Sequence, residues 1–395
     1  MSLKVEFVER ATKAGANMSA LCREYGISRE TGHKWVKRFR RLGYDGLEEE
    51  SRRPDRSPVS TAEELVMAVL HAREAHPRWG AKKLVLLLAR KYGEQTPSRA
   101  SVERILKRFG LVRKRRRAPA LSIVERAPQV VATEPNEVWT VDFKGWWRTA
   151  DGARCEPLTV RDAFSRYVLA ATILASTSTG LVRKEFERLF RKYGIPRAIQ
   201  CDNGTPFVCV LARGGLSQLS SWWVSLGIRI VRSRPGCPQD NGAHERMHRD
   251  VSAEVENFPE LTSEAEQRAL DRWRQQFNHV RPHEALGGKV PADLYKPGAR
   301  RSLVPTHFAY PSGWLVRRVS GAHGILTVHG APYSIGRALA GHSLALEPLD
   351  ELRVRLWLCD LDLGELRLSP STRAMDRACL SFIEQPLRRG KKKVA

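Results

Sequence analysis

One carboxylate restricts this chain more than any other residue. Asp142 stands inside Val138-Trp-Thr-Val-Asp-Phe-Lys144, a run whose apolar pattern predicts a strand. Aspartate is depleted from strand interiors and costly to bury alone, so its place there implies an edge position or a cation that neutralises it. Two more strands are predicted over 157–161 and 167–174, then a helix over 179–193 with Val182, Phe186, Leu189, Phe190 and Tyr193 on one face. Gly194 and Pro196 end that helix. A short strand over 198–202 ends in a second carboxylate, Asp202, at the Asn203-Gly204 turn. A helix over 216–226 and a strand over 228–231 follow, and the segment 235–246 opens a long helix with Glu245 in its first turns.

Asp142, Asp202 and Glu245 thus fall on one strand, the end of another, and a helix able to cross the sheet. Taken singly, each would read as a surface or capping group. Together they suit hard cations: Mg²⁺ takes one or two carboxylates beside substrate phosphates. Two such ions roughly 3.5–4 Å apart can activate an attacking oxygen and stabilise a leaving one in phosphoryl transfer. Without a cation, crowded carboxylates repel. Asp162 and Asp240 rank below the three, Asp162 as a cap or a partner of Arg166 and Asp240 in the turn before the helix. His244 and His248 flank Glu245 and read first as packing histidines.

Upstream the period is helical. Val5, Val8 and Ala11, then Met18, Leu21, Cys22 and Tyr25, a Gly26 turn, and Ser28 capping a helix with Trp35, Val36 and Phe39 make helix-turn-helix spacing over 1–50. Its last helix offers Arg29, Lys34, Lys37, Arg38 and Arg41 to a DNA groove, against the plainer reading of a solvated face on a small bundle. Residues 61–112 repeat the theme as a second helix-turn-helix domain, with Thr61 and Ser98 as caps, a break at Pro77–Gly80, and Lys82 and Lys83 as DNA contacts. Linkers are expected over 51–60 and 113–134. The run Arg113, Lys114, Arg115, Arg116 and Arg117 repels itself and is expected along nucleic acid or solvent.

The charge balance agrees. In 395 residues, 67 Lys and Arg oppose 43 Asp and Glu, a net charge of +24 that points to a polyanionic partner. Residues 61–130 alone hold sixteen basic and six acidic side chains. Hydrophobic residues make up 42%, enough for packed cores and against wholesale disorder. The longest apolar run, Leu84 to Ala89, is far below the roughly 20 residues that span a bilayer, and the N-terminus has no apolar leader pattern. Seven scattered cysteines without a Cys-x-x-Cys pair read as reduced thiols and do not support zinc. The expected location is cytoplasmic, without a membrane.

The C-terminal region, 305–385, turns β-rich. Leu352, Val354, Leu356 and Leu358 alternate with polar or aromatic residues, shorter strands are predicted over 314–319, 325–328 and 344–347, and a small β-barrel is expected. A basic tail over 386–395 adds a nonspecific DNA contact or frays in solvent.

Trp139-Thr-Val-Asp142-Phe-Lys144, Cys201-Asp202-Asn-Gly204 with Phe207, Arg234 to Arg246, and Asn278 to Leu286 together resemble the integrase-type catalytic core of bacterial insertion-sequence transposases. The resemblance spans roughly 135–298 and implies a ribonuclease-H-like mixed sheet flanked by helices. It also implies a DDE triad of Asp142, Asp202 and Glu245 that binds divalent metal, two Mg²⁺ ions with Mn²⁺ able to substitute. Asn203, Asn241 and Arg246 are expected to position DNA phosphates on the same grounds, and Lys144 lies close enough to do so. Forty-two residues separate Asp202 from Glu245, more than the family's commonest pattern, and 212–217 look like the extra loop. The zinc module of retroviral integrases has no counterpart, since Cys22 and His33 lack matching partners.

The fold class expected is therefore multidomain, α and α/β. The expected function is a DNA transposase that binds the terminal inverted repeats of its element, cleaves there and transfers a 3′-hydroxyl into target DNA as a homo-oligomer. The alternatives are a helix-turn-helix regulator with an inactive integrase-like core, and a structure-selective nuclease without strand transfer.

Overall fold

The computed structural model describes residues 3–48, 61–112, 130–234, 237–300 and 302–369. The linker 51–60, the run Arg113–Arg117 with its linker to 129, residues 235 and 236, residues 370–385 of the expected barrel and the tail 386–395 lie outside the described residues. The chain forms two compact units that part between Glu63 and Glu64.

The first unit holds α1 (Leu3–Ala11), α2 (Met18–Glu24) and α3 (Arg29–Leu42). Asn17 caps α2, and the Ser28 side chain accepts the Thr31 N–H at 3.1 Å to start α3. Phe7, Val8, Leu21, Cys22, Val36 and Leu47 are its buried core, and the Phe7 ring meets Tyr25 and Trp35 edge-on at 5.4 and 5.6 Å. A Cβ at Gly32 would stand 2.6 Å from Cys22 Sγ and 2.9 Å from Phe7, so α3 closes on its neighbours only through a glycine.

In the second unit, α4 (Glu63–Ala75), α5 (Ala81–Tyr92) and α6 (Arg99–Arg108) pack around Val69, Trp79, Leu84, Leu88, Val102 and Leu106. Ser98 caps α6 as the sequence predicts. This module joins the residues that follow it: Val280 packs on its core, Lys82 pairs with Glu284, and Arg90 reaches Asp293 at 3.0 Å.

A five-stranded sheet comes next. Its strands are β1 (Val138–Phe143), β4 (Pro157–Asp162), β5 (Val168–Ile173), β6 (Ala198–Cys201) and β7 (Arg229–Arg232). A short hairpin of β2 (Trp147–Arg148) and β3 (Arg154–Cys155) lies between β1 and β4. The spatial order is β5-β4-β1-β6-β7, with β4 antiparallel to β1 and β5, and β1, β6 and β7 parallel. β1 is therefore central, and Val138 to Val141 are all buried, which sets aside the edge position, one of the two readings of Asp142, and corrects the alternating pattern. A strand covered on both faces reads as a continuous apolar run.

Helices α7 (Thr179–Tyr193) and α8 (Gln218–Ser225) build a core with the sheet from Trp139, Leu158, Phe186, Phe190, Ile199 and Trp223. A second cluster joins α9 (Gly242–Val251) and α10 (Ser263–His279) to β5 through Val168, Ala171, Met247, Leu270, Trp273 and Phe277. α9 runs on into a π-helical turn, Ser252–Glu256, and α11 (Pro291–Leu294) follows α10. This is the mixed sheet with flanking helices that the ribonuclease-H-like expectation requires.

Beyond it lie β8 (Leu315–Arg318), β9 (Ile325–Val328), β10 (Ala331–Ser334), β11 (Ser343–Pro348), β12 (Arg353–Leu358) and β13 (Leu361–Arg367). They form a four-stranded antiparallel sheet, β13-β12-β11-β8, and a separate β9–β10 hairpin. No pairing closes them into a ring among the described residues, so the expected barrel is an open pair of sheets. The six described cysteines are free, and no described helix is long and apolar enough to cross a membrane.

Candidate active site

Register alone brings the two aspartates together. Thr140 of β1 pairs with Gln200 of β6 in a parallel ladder, so Asp142 and Asp202, each two residues on, stand at the same level at the C-terminal ends of adjacent strands. Asp202 is exposed, just past β6, and its Oδ1 accepts the Gly204 N–H at 3.1 Å. A Cβ at Gly204 would stand 3.1 Å from Asp202 Oδ2, so the glycine leaves room for the carboxylate.

Helix α9 supplies Glu245, exposed beside the buried His244 and the half-buried His248. Thr159, opposite Asp142 in the register, donates its hydroxyl to the Asp142 carbonyl at 2.9 Å. A hydroxyl has one hydrogen, so the His244 Nε2–H at 2.7 Å and the His248 Nε2–H at 2.8 Å both donate to Thr159 Oγ1. Thr140 then donates to His244 Nδ1 at 2.8 Å. Burial keeps both rings neutral, pushing His248 down to about 3 and His244 well below its usual range. The histidines are packing residues, as read from the sequence, and they also fasten α9 to β1 and β4.

Asp142 is pushed up to about 7, by burial first and then by the neighbouring Asp202 carboxylate, with Glu245 adding to the rise. The three carboxylates share one electrostatic neighbourhood. Among the described residues, however, no three His, Cys, Asp or Glu side chains stand close enough to enclose an ion. The donor set still fits a hard divalent cation, being all oxygen and carrying a like-charge repulsion that a cation relieves.

The residues expected on DNA divide. Arg29, Lys34, Lys37 and Arg41 are exposed on α3, with Arg38 half-buried beside them. Arg246 is exposed on α9, Lys83 is half-buried, and Lys82 is held by Glu284. Lys144 pairs with Glu256 of the π-helical turn at 2.9 Å. Asn241 donates to Asp142 Oδ2 at 3.1 Å, and Asn203 donates to the Ser233 carbonyl at 3.0 Å. Lys144, Asn203 and Asn241 thus shape the site from within. Arg113, Lys114, Arg115, Arg116 and Arg117 lie outside the described residues.

Asp162 is fully buried and accepts from the Asn136 N–H, the Ser165 N–H and the Ser165 hydroxyl at 2.6–2.8 Å. It is a turn cap without a bond to Arg166. Asp240 is held by Arg234 at 2.6 Å. Sequence reasoning passed over Thr140, Thr159 and Arg161, whose signal was a set of polar residues inside otherwise buried strands.

Residues 132–238 and 226–291 match integrase core domain families. Residues 3–55 match a helix-turn-helix domain, and 31–106 a homeodomain-like domain. An uncharacterized 31.7 kDa protein of insertion element IS407 from Burkholderia multivorans is 28% identical over 274 residues, 69% of this chain and 88% of its own length. An uncharacterized 39.2 kDa protein of insertion element IS476 from Xanthomonas euvesicatoria is 25% identical, covering 74% of this chain and 82% of itself. The magnesium complex of the HTLV-2 integrase catalytic core domain, 16% identical, aligns with 42% of this chain and 100% of itself at a TM-score of 0.34.

Proposed function

The chain belongs to the insertion-sequence transposases with an integrase-type core, and from that premise we propose that it cuts and joins DNA at the ends of its own mobile element with Asp142, Asp202 and Glu245. The observation that carries this reading is that the β1–β6 register sets Asp142 and Asp202 at one level at the ends of two parallel strands, with the charges of Asp202 and Glu245 both acting on Asp142.

In this reading the helix-turn-helix modules bind the terminal inverted repeats. Phosphate contacts fix register and base edges supply the sequence reading. At an element end, water attacks a phosphodiester, a new P–O bond forms, and the strand leaves with a 3′-hydroxyl. That hydroxyl then attacks a target phosphodiester, joining the element to one target strand while the other target oxygen departs. Two Mg²⁺ ions, or Mn²⁺, held by the three carboxylates would supply positive charge to the attacking and leaving oxygens. The chain's own task is placement, because phosphoryl transfer gives a protein little covalent work. Asn241 orients the Asp142 carboxylate, and the histidine and threonine bonds fix the turn of α9 that carries Glu245. Two ends must be held together, so the working form is a homo-oligomer on double-stranded DNA.

Strand cleavage and joining on labelled DNA carrying the element's ends tests this reading, with Mg²⁺ or chelator, for wild type and Glu245→Gln. Metal-dependent products that vanish in Glu245→Gln while end binding persists are expected. Tight end binding with no metal-dependent chemistry in wild type would leave the regulator as the better account.

A further inference from the structure

Another face of α9 borders a cleft of about 530 Å³ that Lys83 of α5 also lines. Lys83, Arg161, Arg166, Arg246, Asp250 and His283 are among its walls, all within the second compact unit. Positive side chains outnumber negative ones in the lining, Lys83, Arg161, Arg166 and Arg246 against Asp250 and Glu284. Of the acids in the lining, Asp250 pairs with Arg281 at 2.5 Å and Glu284 with Lys82. Among the described residues, the side chains of Lys83, Arg166 and Arg246 make no hydrogen bond or ion pair, and Lys83 only overlies the Trp79 ring at 5.8 Å.

Arg161 is 4% exposed, gives one Nη to the Ala243 carbonyl at 2.9 Å, and leaves its Nε buried without a partner. His283 Nε2 is buried without a partner as well. Buried donors are ordinarily satisfied, so the unsatisfied Arg161 Nε–H beside three cations without a hydrogen bond indicates an absent acceptor. The cations feel one another: burial and then Arg166 push Arg161 down to about 10, and burial and then Arg246 lower Arg166. Arg166 is also held at φ +64°, a backbone conformation that non-glycine residues rarely adopt.

We infer that this cleft is a phosphate site built jointly by α5 and the catalytic core, and that its occupant is a backbone phosphate of a DNA strand. The inference rests on the reading of the chain as a DNA-processing protein. A nucleic acid is favoured because the chain carries +24 net charge, the cleft joins the helical module α4–α6 to the core, and Arg246 neighbours Glu245 in sequence. A strand seated there would run from that module toward the turn of α9 that bears Glu245.

The test is the salt dependence of binding by the full chain to a labelled duplex of arbitrary sequence, for wild type, Lys83→Gln, Arg166→Gln and Arg166→Lys. Each phosphate neutralised contributes about 0.9 to the slope of log affinity against log salt. Lys83→Gln and Arg166→Gln are each expected to bind several-fold more weakly with a slope lower by about that amount, while Arg166→Lys keeps it. Both glutamine variants should melt no lower than wild type, since each removes an unpaired like charge. A second arm adds inorganic phosphate alone and reads the melting temperature. Unchanged slopes in folded variants that still bind DNA overturn the inference. A phosphate-dependent rise in melting lost in Arg166→Gln, with unchanged slopes, assigns the cleft to a free oxyanion and overturns the strand as occupant. Lowered slopes without metal-dependent cleavage would keep the cleft and remove the transposase reading; cleavage with unchanged slopes would do the reverse.

Discussion

Arg213, in the loop that follows Asp202, donates from one Nη to the carbonyl of Glu365 at 3.1 Å. The same nitrogen lies 3.3 Å from the Leu363 carbonyl and 3.5 Å from that of Gly364. The long interval between Asp202 and Glu245 thereby acquires a structural role. Its extra residues are the surface on which β13 docks: Gly214 and Gly215 turn with positive φ, Arg232 donates to the Gly214 carbonyl, and Leu216 and Val224 share one buried cluster with Leu363. Added loop length costs little entropy, so the fold can accept such an insertion.

Arg213→Ala should therefore weaken the attachment of the C-terminal sheets more than the catalytic core. Arg213 is 6% exposed, and removing it leaves a cavity and takes a charged donor from three carbonyls. A loss of about 2–4 kcal/mol is expected in denaturant unfolding, with faster proteolytic release of the C-terminal sheets. Equal proteolysis rates in variant and wild type would sink this account.

What the sequence made legible was local. The helix predicted over 179–193 is α7, Thr179–Tyr193, because a single apolar face and a terminating Gly194 suffice to define it. Asp142, Asp202 and Glu245 could be singled out because a strand run, an Asn-Gly turn and a helix start are each visible within a few residues. What stayed hidden depends on register and long-range packing. β1 reads as an edge candidate until β4 and β6 flank it. Lys144 and Asn241 read as phosphate contacts, and their bonds to Glu256 and Asp142 could not be read from the sequence. β13 escaped notice because Gly364 interrupts its pattern, and Arg161 became a cleft residue only once α9 and α5 were in place.

Thr159 carries the next prediction. One hydroxyl receives two imidazole N–H groups and donates to the Asp142 carbonyl, so Thr159→Val, nearly equal in shape, strips the fastening between α9 and the sheet. Two buried donors would lose their acceptor, a cost of about 1–3 kcal/mol each before relaxation. Single-turnover cleavage should fall at least tenfold while duplex affinity stays within twofold, and Thr159→Ser should restore most of the rate. A valine variant that cleaves at the wild-type rate would show that Glu245 is placed without this bond network.

Asp142 predicts an opposite sign for stability. Its carboxylate is half-buried beside two others, so Asp142→Asn removes a repulsion that the folded chain otherwise carries. In chelator at neutral pH the variant should be the more stable of the two, since the carboxyl is held up at about 7 and each pH unit of such a rise corresponds to ~1.4 kcal/mol. Mg²⁺ should raise the melting temperature of wild type and leave the variant nearly unmoved. An asparagine variant that melts lower than wild type in chelator would argue against the crowding of charge.

His283 sets the acid limb of stability. Burial first, then Arg281, Lys83 and Arg166, push it down to about 3, and a hydrogen bond to the Phe277 carbonyl offsets only part of this. Asp250 and Glu284 share its cleft but are paired with Arg281 and Lys82. An unfolded histidine titrates near ~6.5. Between that value and about 3 the unfolded chain binds the extra proton, so the stabilisation is whole above the unfolded value and is lost as pH falls through this window. The slope from this one site is at most about 1.4 kcal/mol per pH unit. Urea unfolding at pH 7, 6 and 5 should show His283→Gln losing less stability on acidification than wild type, the two curves converging toward pH 5. Parallel curves would mean that His283 takes up its proton in the folded protein as readily as in the unfolded one.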